Sequence, residues 1–354
     1  MLRVEIVSPD IYFKHAGAVD DLQAEAVQPN IFAEPAVVRA AQKNANIFLV
    51  WRNNGTLIGA WPFVKQGSVI DTRLHDYMML TVPLIHKKHA DEVWNVLLSA
   101  FEKMETIAIH CPFMPEKMLQ GLRPVLQARH QKCSILAQEN RGFLSVGRNF
   151  QTFYETIFSA KARRTLKKQR RDMGETAYSV FEGDNARIKL NDFFKLESAG
   201  WKGRRGTAII NNTRDGDFIT QVLQYLPDDK FFLSALMSQQ KPLAMGLVFK
   251  IRGSMWYLKM AYEEAAARFS PGVHYALELA KQVLHAPDFH EADSCAPLGL
   301  GRHVAPFSTP HLFSDILIAT RPYRSTAFFL LATKMRFKIQ ARNFAKNLLK
   351  KIMR

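Results

Sequence analysis

The sequence predicts a mixed α/β protein, with mixed sheets in two successive domains and a basic amphipathic helix after them, on three observations. Residues 231–297 read as one continuous strand, turn, strand, strand, loop, helix, strand unit. The same order of elements recurs over residues 47–111, at an offset of roughly 185 residues that matches the usual size of a domain. The chain has 354 residues, 47% of them apolar and no low-complexity tract, which is enough to bury the cores of about two domains.

In the later unit, residues 231–237 (FFLSALM) are an apolar run of strand length. The polar turn Gln239-Gln240-Lys241-Pro242 follows, with its proline placed to stop the strand. Residues 243–251 (LAMGLVFKI) return as a hairpin, Gly253-Ser254 turns again, and residues 255–262 (MWYLKMAY) form a third strand rich in aromatic side chains. Ser270-Pro271-Gly272 then opens a helix, with serine as cap and proline at the first position. Tyr275, Leu277, Leu279, Ala280, Val283 and Leu284 recur at helical spacing until Pro287, and residues 291–297 (EADSCAP) supply a strand. Strand, helix, strand implies a right-handed crossover with the helix N-terminus at the carboxyl edge of the sheet, where free N–H groups favour an anion.

The earlier half begins with a strand at 2–7 and a helix introduced by Asn30 and Pro35 and running to Ala41. Apolar runs at 47–51 and 57–64 flank Asn53-Asn54-Gly55, the strongest hairpin signal in the chain. A strand at 76–85, an amphipathic helix at 90–104 and a strand at 106–111 follow, so that Leu57-Ile58-Gly59-Ala60 corresponds to Leu243-Ala244-Met245-Gly246. The reading is an internal duplication. A further helix is expected over 121–138, and a strand over 142–146 that crosses between the halves. Asn149 caps a helix that runs into the basic segment and stops at Gly174; helices at 190–199 and 215–226 lead to the later unit. The expected domains are 1–148 and 149–323, followed by the basic helix 324–354.

The formal net charge of +16 is concentrated in two segments: Lys161–Arg171 carries seven Lys or Arg and no acid, and Arg324–Arg354 carries nine and no acid. The remainder is balanced, which favours local anionic contacts over the wrapping of nucleic acid. Cations at 163, 164, 167, 168, 170 and 171 cannot share one helix face, so part of that helix lies in water or forms a wall, including Arg164 and Lys168, against a phosphorylated or acidic substrate. Around Trp201, Lys202 and Arg205, three glycines and three cations make a flexible, positive loop that either ends a helix or binds substrate. In the last segment Lys334, Lys338, Arg342, Lys346 and Lys350 recur opposite Phe337, Ala341, Phe344, Ala345, Leu348 and Ile352, a pattern that suits an anionic membrane surface, a partner, or packing on its own domain. Cys111, Cys133 and Cys295 are too scattered for a disulfide framework or a metal site, so no metal is expected. No secretion signal and no span of membrane length is read, and the expected location is the cytoplasm, with peripheral association to the inner membrane through 324–354.

The order strand, hairpin strand, strand, anion-facing helix, strand resembles the core of the GNAT acyltransferases. Trp201-Lys202-Gly203-Arg204-Arg205-Gly206-Thr207, Ala261-Tyr262-Glu263, Arg268-Phe269-Ser270-Pro271-Gly272 and Asp293-Ser294-Cys295-Ala296 make the likeness more specific, and over most of residues 30–307 the chain resembles CelD-like proteins. That group is associated with bacterial exopolysaccharide or cellulose synthesis and is distantly similar to the Fem-type aminoacyltransferases. The resemblance implies tandem GNAT-like domains and transfer of an acyl group from acyl-CoA, acetyl-CoA or longer, to a saccharide or amino-bearing precursor of a surface polymer. It leaves two alternatives open: a Fem-like enzyme drawing on aminoacyl-tRNA, and a non-catalytic accessory module of a polysaccharide synthase. The sequence departs from the GNAT pattern in lacking a full Gly-rich pyrophosphate loop, and His303-Val304-Ala305-Pro306-Phe307 stands where relatives carry a Trp-containing basic segment.

Acyl transfer needs a held carbonyl, a cradle for the donor's phosphates and a base for the acceptor's proton. The cradle is expected at the amides after Ser270, with Gly272 permitting close approach and Arg268 adding charge. Candidates for the base are Glu263, Tyr262, Asp293 and His274, all at the carboxyl edge of the expected sheet or in the first turn of its helix. Lys259, a cation on an apolar strand, is expected to pair with Asp293 on the neighbouring strand.

Overall fold

A computed structural model describes the backbone of residues 2–147, 149–323 and 325–352, with side chains described as far as residue 342. The elements, in chain order, are β1 (Leu2–Val7), α1 (Pro9–Lys14), α2 (Ala16–Ala24), α3 (Pro35–Ala41), β2 (Asn46–Arg52), β3 (Leu57–Gln66), β4 (Val69–Asp71), β5 (Leu84–Ile85), α4 (Ala90–Glu102), β6 (Ala108–Pro115), α5 (Glu116–Ala128) and β7 (Gln131–Ser145). They continue with α6 (Phe150–Ile157), α7 (Ala160–Asp172), β8 (Ala177–Phe181), α8 (Gly183–Ala199), α9 (Trp201–Arg204), α10 (Thr213–Tyr225), β9 (Phe231–Ser238), β10 (Lys241–Ile251), β11 (Ser254–Tyr262), α11 (Pro271–His285), β12 (Glu291–Pro297), β13 (Thr309–Pro322) and α12 (Thr326–Ile352). Two compact units result: Met1–Glu139 with Leu312–Arg354, and Asn140–His311. These limits replace the expected boundary at 148, because β7 and β13, the latter not foreseen, each give residues to both units, and 324–354 belongs to the first unit instead of standing apart.

In the first unit the strand order is β1-β2-β3-β4-β6-β13, with β5 beside β3. Neighbours are antiparallel except β4 and β6, which run parallel with α4 between them in the chain. Trp61, Phe48, Phe63 and Phe101 pack edge-on or stacked at centroid separations of 4.7 to 5.2 Å, and this aromatic cluster holds α4 on the sheet. Gly59 permits that approach, since a Cβ there would meet Val93 Cγ1 at 2.6 Å. The second unit repeats the pattern as β8-β9-β10-β11-β12-β7, again antiparallel except the β11–β12 pair, with α11 as the crossover. Gly246 admits Tyr275 of α11, whose hydroxyl is shared with Ser234 at 2.8 Å. Phe232, Val248, Tyr257, Leu279 and Val283 fill the core under that helix.

Several expectations are corrected. Residues 76–85 are mostly irregular, with β5 limited to Leu84–Ile85. The helix expected over 121–138 ends at Ala128; His130 turns the chain in a left-handed conformation (φ 52°) and β7 begins at Gln131, whose side chain donates to the Ala319 and Thr320 carbonyls of β13. The single helix expected from Asn149 to Gly174 is two, since the chain is extended at Phe158–Ser159 and Ser159 caps α7 through Ala162 N–H. Pro242 lies inside β10 opposite Met237, and the turn is made by Gln239 and Gln240 at positive φ.

Helix α12 docks on the first unit through Phe328 and Ala332, with Leu331, Met335 and Ile339 around them. Arg336 holds Ser134 Oγ and the Ile135 carbonyl, each at 2.9 Å. The packed face is therefore not the one expected, because Phe337 is exposed together with Lys334, Lys338, Phe329 and Leu330. The side chains of Phe344, Ala345, Lys346, Leu348, Lys350 and Ile352 lie outside the described residues. Among the described residues no helix is long and apolar enough to cross a membrane.

Candidate active site

Two cavities lie in the second unit, where β11 and β12 part. The strands pair from Ser254 with Glu291 to Trp256 with Asp293 and then separate. The cause is local: Asp293 Oδ1 accepts the Cys295 N–H at 2.7 Å, Cys295 takes a positive φ of 53°, and this side-chain-closed turn re-aims β12 while β11 continues straight to Tyr262.

The first cavity, about 210 Å³, is lined by Met260, Tyr262, Ala267, Ser270, Pro271, Gly272, Val273, Arg302 and His303. Helix α11 begins where the sequence places it, but Ser270 is no side-chain cap: it is left-handed (φ 55°, ψ 49°), and its hydroxyl accepts from Gln169 Nε2 at 3.1 Å. Val273 and His274 donate to the Ser270 carbonyl and Pro271 has no N–H, so Gly272 carries the one first-turn amide without a partner among the described residues. A Cβ at Gly272 would meet Met260 Cε at 2.8 Å, so a larger residue there would push the end of that methionine side chain aside. Arg268 is exposed with its guanidinium 4.6 Å from the Phe269 ring centroid, and does not line the cavity. Arg302 lines it instead.

The second cavity, also about 210 Å³, is lined by Leu196, Glu197, Gly200, Trp201, Lys202, Glu264 and His303 together with Met260, Ala261 and Tyr262. Met260, Tyr262 and His303 are common to both. Glu197 is buried and central: its Oε1 lies 3.2 Å from Lys202 Nζ and 3.6 Å from Lys259 Nζ, and its Oε2 accepts the Ile209 N–H at 2.8 Å. Burial lowers the Lys202 pKa, Glu197 opposes that, and Lys259 adds to it. Lys259 is thus paired with Glu197 and not, as expected, with Asp293. The register explains the error, because Asp293 stands opposite Trp256. Nor is the Trp201 segment a flexible positive loop. It is helix α9, in which Lys202 turns inward, Arg204 and the Trp201 N–H both bind Glu264, and Arg205 lies 5.4 Å from the Trp201 ring centroid. Gly203 sits against the Ser198 carbonyl, where no side chain fits.

Of the expected bases, Tyr262 lines both cavities. Glu263 accepts the Ala265 N–H at 3.1 Å as the cap of a short 3₁₀ turn and lines neither. Asp293 is buried in an ion pair with Arg141 of β7, Nη1 to Oδ2 2.9 Å; burial raises its pKa, against the pull of Arg141 and the Cys295 N–H. His274 lies on the other side of α11, buried, its pKa lowered to about 4 by desolvation and by Arg170. Arg164 is on that same side, and Lys168 is exposed without lining any of these cavities.

His303 is the residue that sequence reasoning missed. Burial and the nearby Lys202 lower its pKa, so the imidazole is neutral at pH 7 between the two cavities. Nothing in its spacing marks it; the departure of residues 303–307 from the family pattern was the available signal. Glu197 and Glu264 were likewise missed, because the contacts that place them, with Lys259 for Glu197 and with Trp201 and Arg204 for Glu264, join residues some 60 positions apart.

Residues 160–295 match a family model described as Acetyltransferase (GNAT) domain. No curated protein matches the sequence. Among solved structures the chain is similar to FemX (12% identity, TM-score 0.59, covering 89% of this chain and 96% of that one). It is also similar to L-PGS from Bacillus licheniformis (13%, 0.55, covering 90% and 95%), and to the C-terminal domain (DUF2156) assigned to a lysylphosphatidylglycerol synthetase of Agrobacterium fabrum (12%, 0.58, covering 92% and 95%). At these identities the likeness is one of fold, and that fold is the mixed α/β arrangement described above. Residues 160–295 carry an acetyltransferase (GNAT) domain, and the protein is accordingly an acyltransferase.

Proposed function

We propose that the protein transfers an acyl group from acyl-CoA to an amine or hydroxyl, with the donor at the start of α11 and the acceptor entering beside Glu197. The observation that carries this is the meeting of two cavities at Tyr262 and His303, one ending on an unpartnered helix amide and Arg302, the other on buried Glu197 held between the half-buried Lys202 and Lys259. The Gly272 amide and Arg302 suit a phosphate or a developing oxyanion. Neutral His303 takes the proton from the acceptor nucleophile as the new C–N or C–O bond forms. The C–S bond breaks, and the departing thiolate takes a proton from Tyr262, which solvent restores. The CelD-like resemblance supports a saccharide or amino-bearing precursor of a surface polymer as the acceptor. The exposed Phe329, Leu330 and Phe337 among Lys334 and Lys338 support peripheral seating of α12 on an anionic membrane.

Isothermal titration with acetyl-CoA and longer acyl-CoAs tests the donor. Arg302→Ala is expected to weaken binding about tenfold, the loss of one charge-assisted hydrogen bond. His303→Gln should leave donor affinity within about twofold and lower turnover roughly 10²- to 10⁴-fold. Absence of donor binding moves the reading to a non-catalytic accessory module. A second reading, transfer from aminoacyl-tRNA, draws on the fold shared with FemX and on the exposed cations of α7; binding of tRNA that weakens steeply with salt would favour it.

A further inference from the structure

A larger, open groove of about 820 Å³ lies on the opposite side of α11 from Gly272, lined by α6, α7 and α11. Its walls differ in chemistry. One is apolar: Phe150 and Tyr154 present near-parallel rings (14° between planes, centroids 6.1 Å apart), and Leu166 and Leu277 extend that surface. The other is cationic, with Arg163, Arg164, Lys167, Arg170, Arg171 and Lys281 against the single acid Glu278.

Part of this charge is already used. Arg163 donates to the Glu155 and Phe158 carbonyls, and Arg170 Nη2 reaches Glu278 at 3.2 Å. Arg164, Lys167 and Lys281 have no acidic partner among the described residues. Two buried polar atoms at the cavity are also unsatisfied: Arg170 Nη1, and Nε2 of His274, a residue only 6% exposed. A buried donor left without a partner costs about 1–3 kcal/mol, so such atoms in a cavity mark where a ligand's acceptors belong. Desolvation keeps His274 neutral, which makes its ring a hydrogen-bonding group here and not a further charge.

We propose that this cavity binds a nucleoside diphosphate, with the base against Phe150 and Tyr154, and the phosphates on Arg164, Lys167 and Arg170 with His274 beneath. A flat ring suits the aromatic wall, several negative charges suit the cationic wall, and the volume lies in the range of sites for such ligands. The inference does not depend on the donor reading, since it shares no residue with the cavity at Gly272 and Arg302.

The test is titration of the full chain with UDP and ADP, alongside uridine and pyrophosphate, which each carry half of the proposed chemistry. Either diphosphate is expected to bind at least about tenfold more tightly than both half-ligands, with a shift of the His274 ring nitrogen resonances. Arg164→Ala with Lys167→Ala, both exposed and therefore harmless to folding, should weaken binding at least about tenfold, while Arg302→Ala leaves it unchanged. The proposal is overturned if neither diphosphate binds, if the double substitution has no effect, or if Arg302→Ala abolishes binding and so places the nucleotide at the other cavity. Loss of acyl-CoA binding in a separate titration bears on the transferase reading alone.

Discussion

The two units place an ion pair at the same point of the same topology and differ in what lies beyond it. In the first unit the parallel pairing ends at Asp71 with His110, and His110 bridges Asp71 (3.2 Å) and Asp315 of β13 (2.8 Å). In the second it ends at Trp256 with Asp293, and Asp293 pairs with Arg141 of β7. In both, the pairing with the outer neighbour shifts register nearby, between Ser314 and Ile316 on β13 opposite β6, and between Asp293 and Pro297 on β12 opposite β7. The difference is length. β4 stops at Asp71 and the Thr72 N–H continues onto the His110 carbonyl, whereas β11 runs on to Tyr262 paired with β10 but no longer with β12, which leaves open space on that side. A shared ionic clamp at the parting of the strands thus belongs to the architecture, and the end of β11 beyond its β12 pairing lines the two cavities of the second unit only.

If the clamp is architectural, breaking it should cost stability in both units, most of all where it is driest. Arg141→Leu leaves Asp293 buried without its ionic partner and is expected to lower unfolding free energy by about 3–5 kcal/mol in denaturant titration, with part of the loss recovered in Arg141→Leu/Asp293→Asn, which removes the stranded charge and keeps an acceptor for the Cys295 N–H. In the first unit the clamp titrates. Burial lowers the His110 pKa, but its bonds to Asp315 and Asp71 win and raise it from 6.5 to about 9. Because the folded value is the higher, the contribution is complete below pH 6.5 and fades as pH rises through 9. It amounts to about 3 kcal/mol at most, and His110→Gln should remove that slope. Equal stability at pH 6 and pH 9.5 in the wild type would end this account.

The crossover helices give the next comparison. Gly246→Ala should cost more than Gly59→Ala within a span of about 1–3 kcal/mol, because the first drives a methyl into a rigid phenol ring already bonded to Ser234 and the second mainly into one methyl of Val93, with Val50 less tightly approached. Thermal melts in which the order is reversed would show that the first unit packs its helix the more tightly. The smallest effect belongs to Arg204→Ala, which removes a largely exposed ion pair with Glu264 and should change stability by less than about 1 kcal/mol. A larger loss of stability would mean that α9 depends on that pair.

Local grammar revealed the strand, hairpin, helix, strand order of both units and the start of α11, because Pro271, the Asn-Gly turn and runs such as FFLSALM act over a few residues. It misjudged elements whose limits are set from outside. β7 looked helical at 131–138, and the bonds from Gln131 to Ala319 and Thr320 decide otherwise. The face of α12 that packs is chosen by Leu136, Leu317 and Ala319, which its own periodicity does not contain.

For the candidate site, the sequence by itself determined where an anion-favouring helix start lies, that Gly272 stands in it, and that the charge of the chain is gathered in two segments. These follow from residue type and near spacing. Only the tertiary structure decided which side chains meet there: that Lys259 faces Glu197 and not Asp293, that Ser270 is held by Gln169, and that His303 stands between two cavities. Strand register and side-chain burial set those pairings, and both depend on contacts between residues far apart in the chain, which local spacing does not encode.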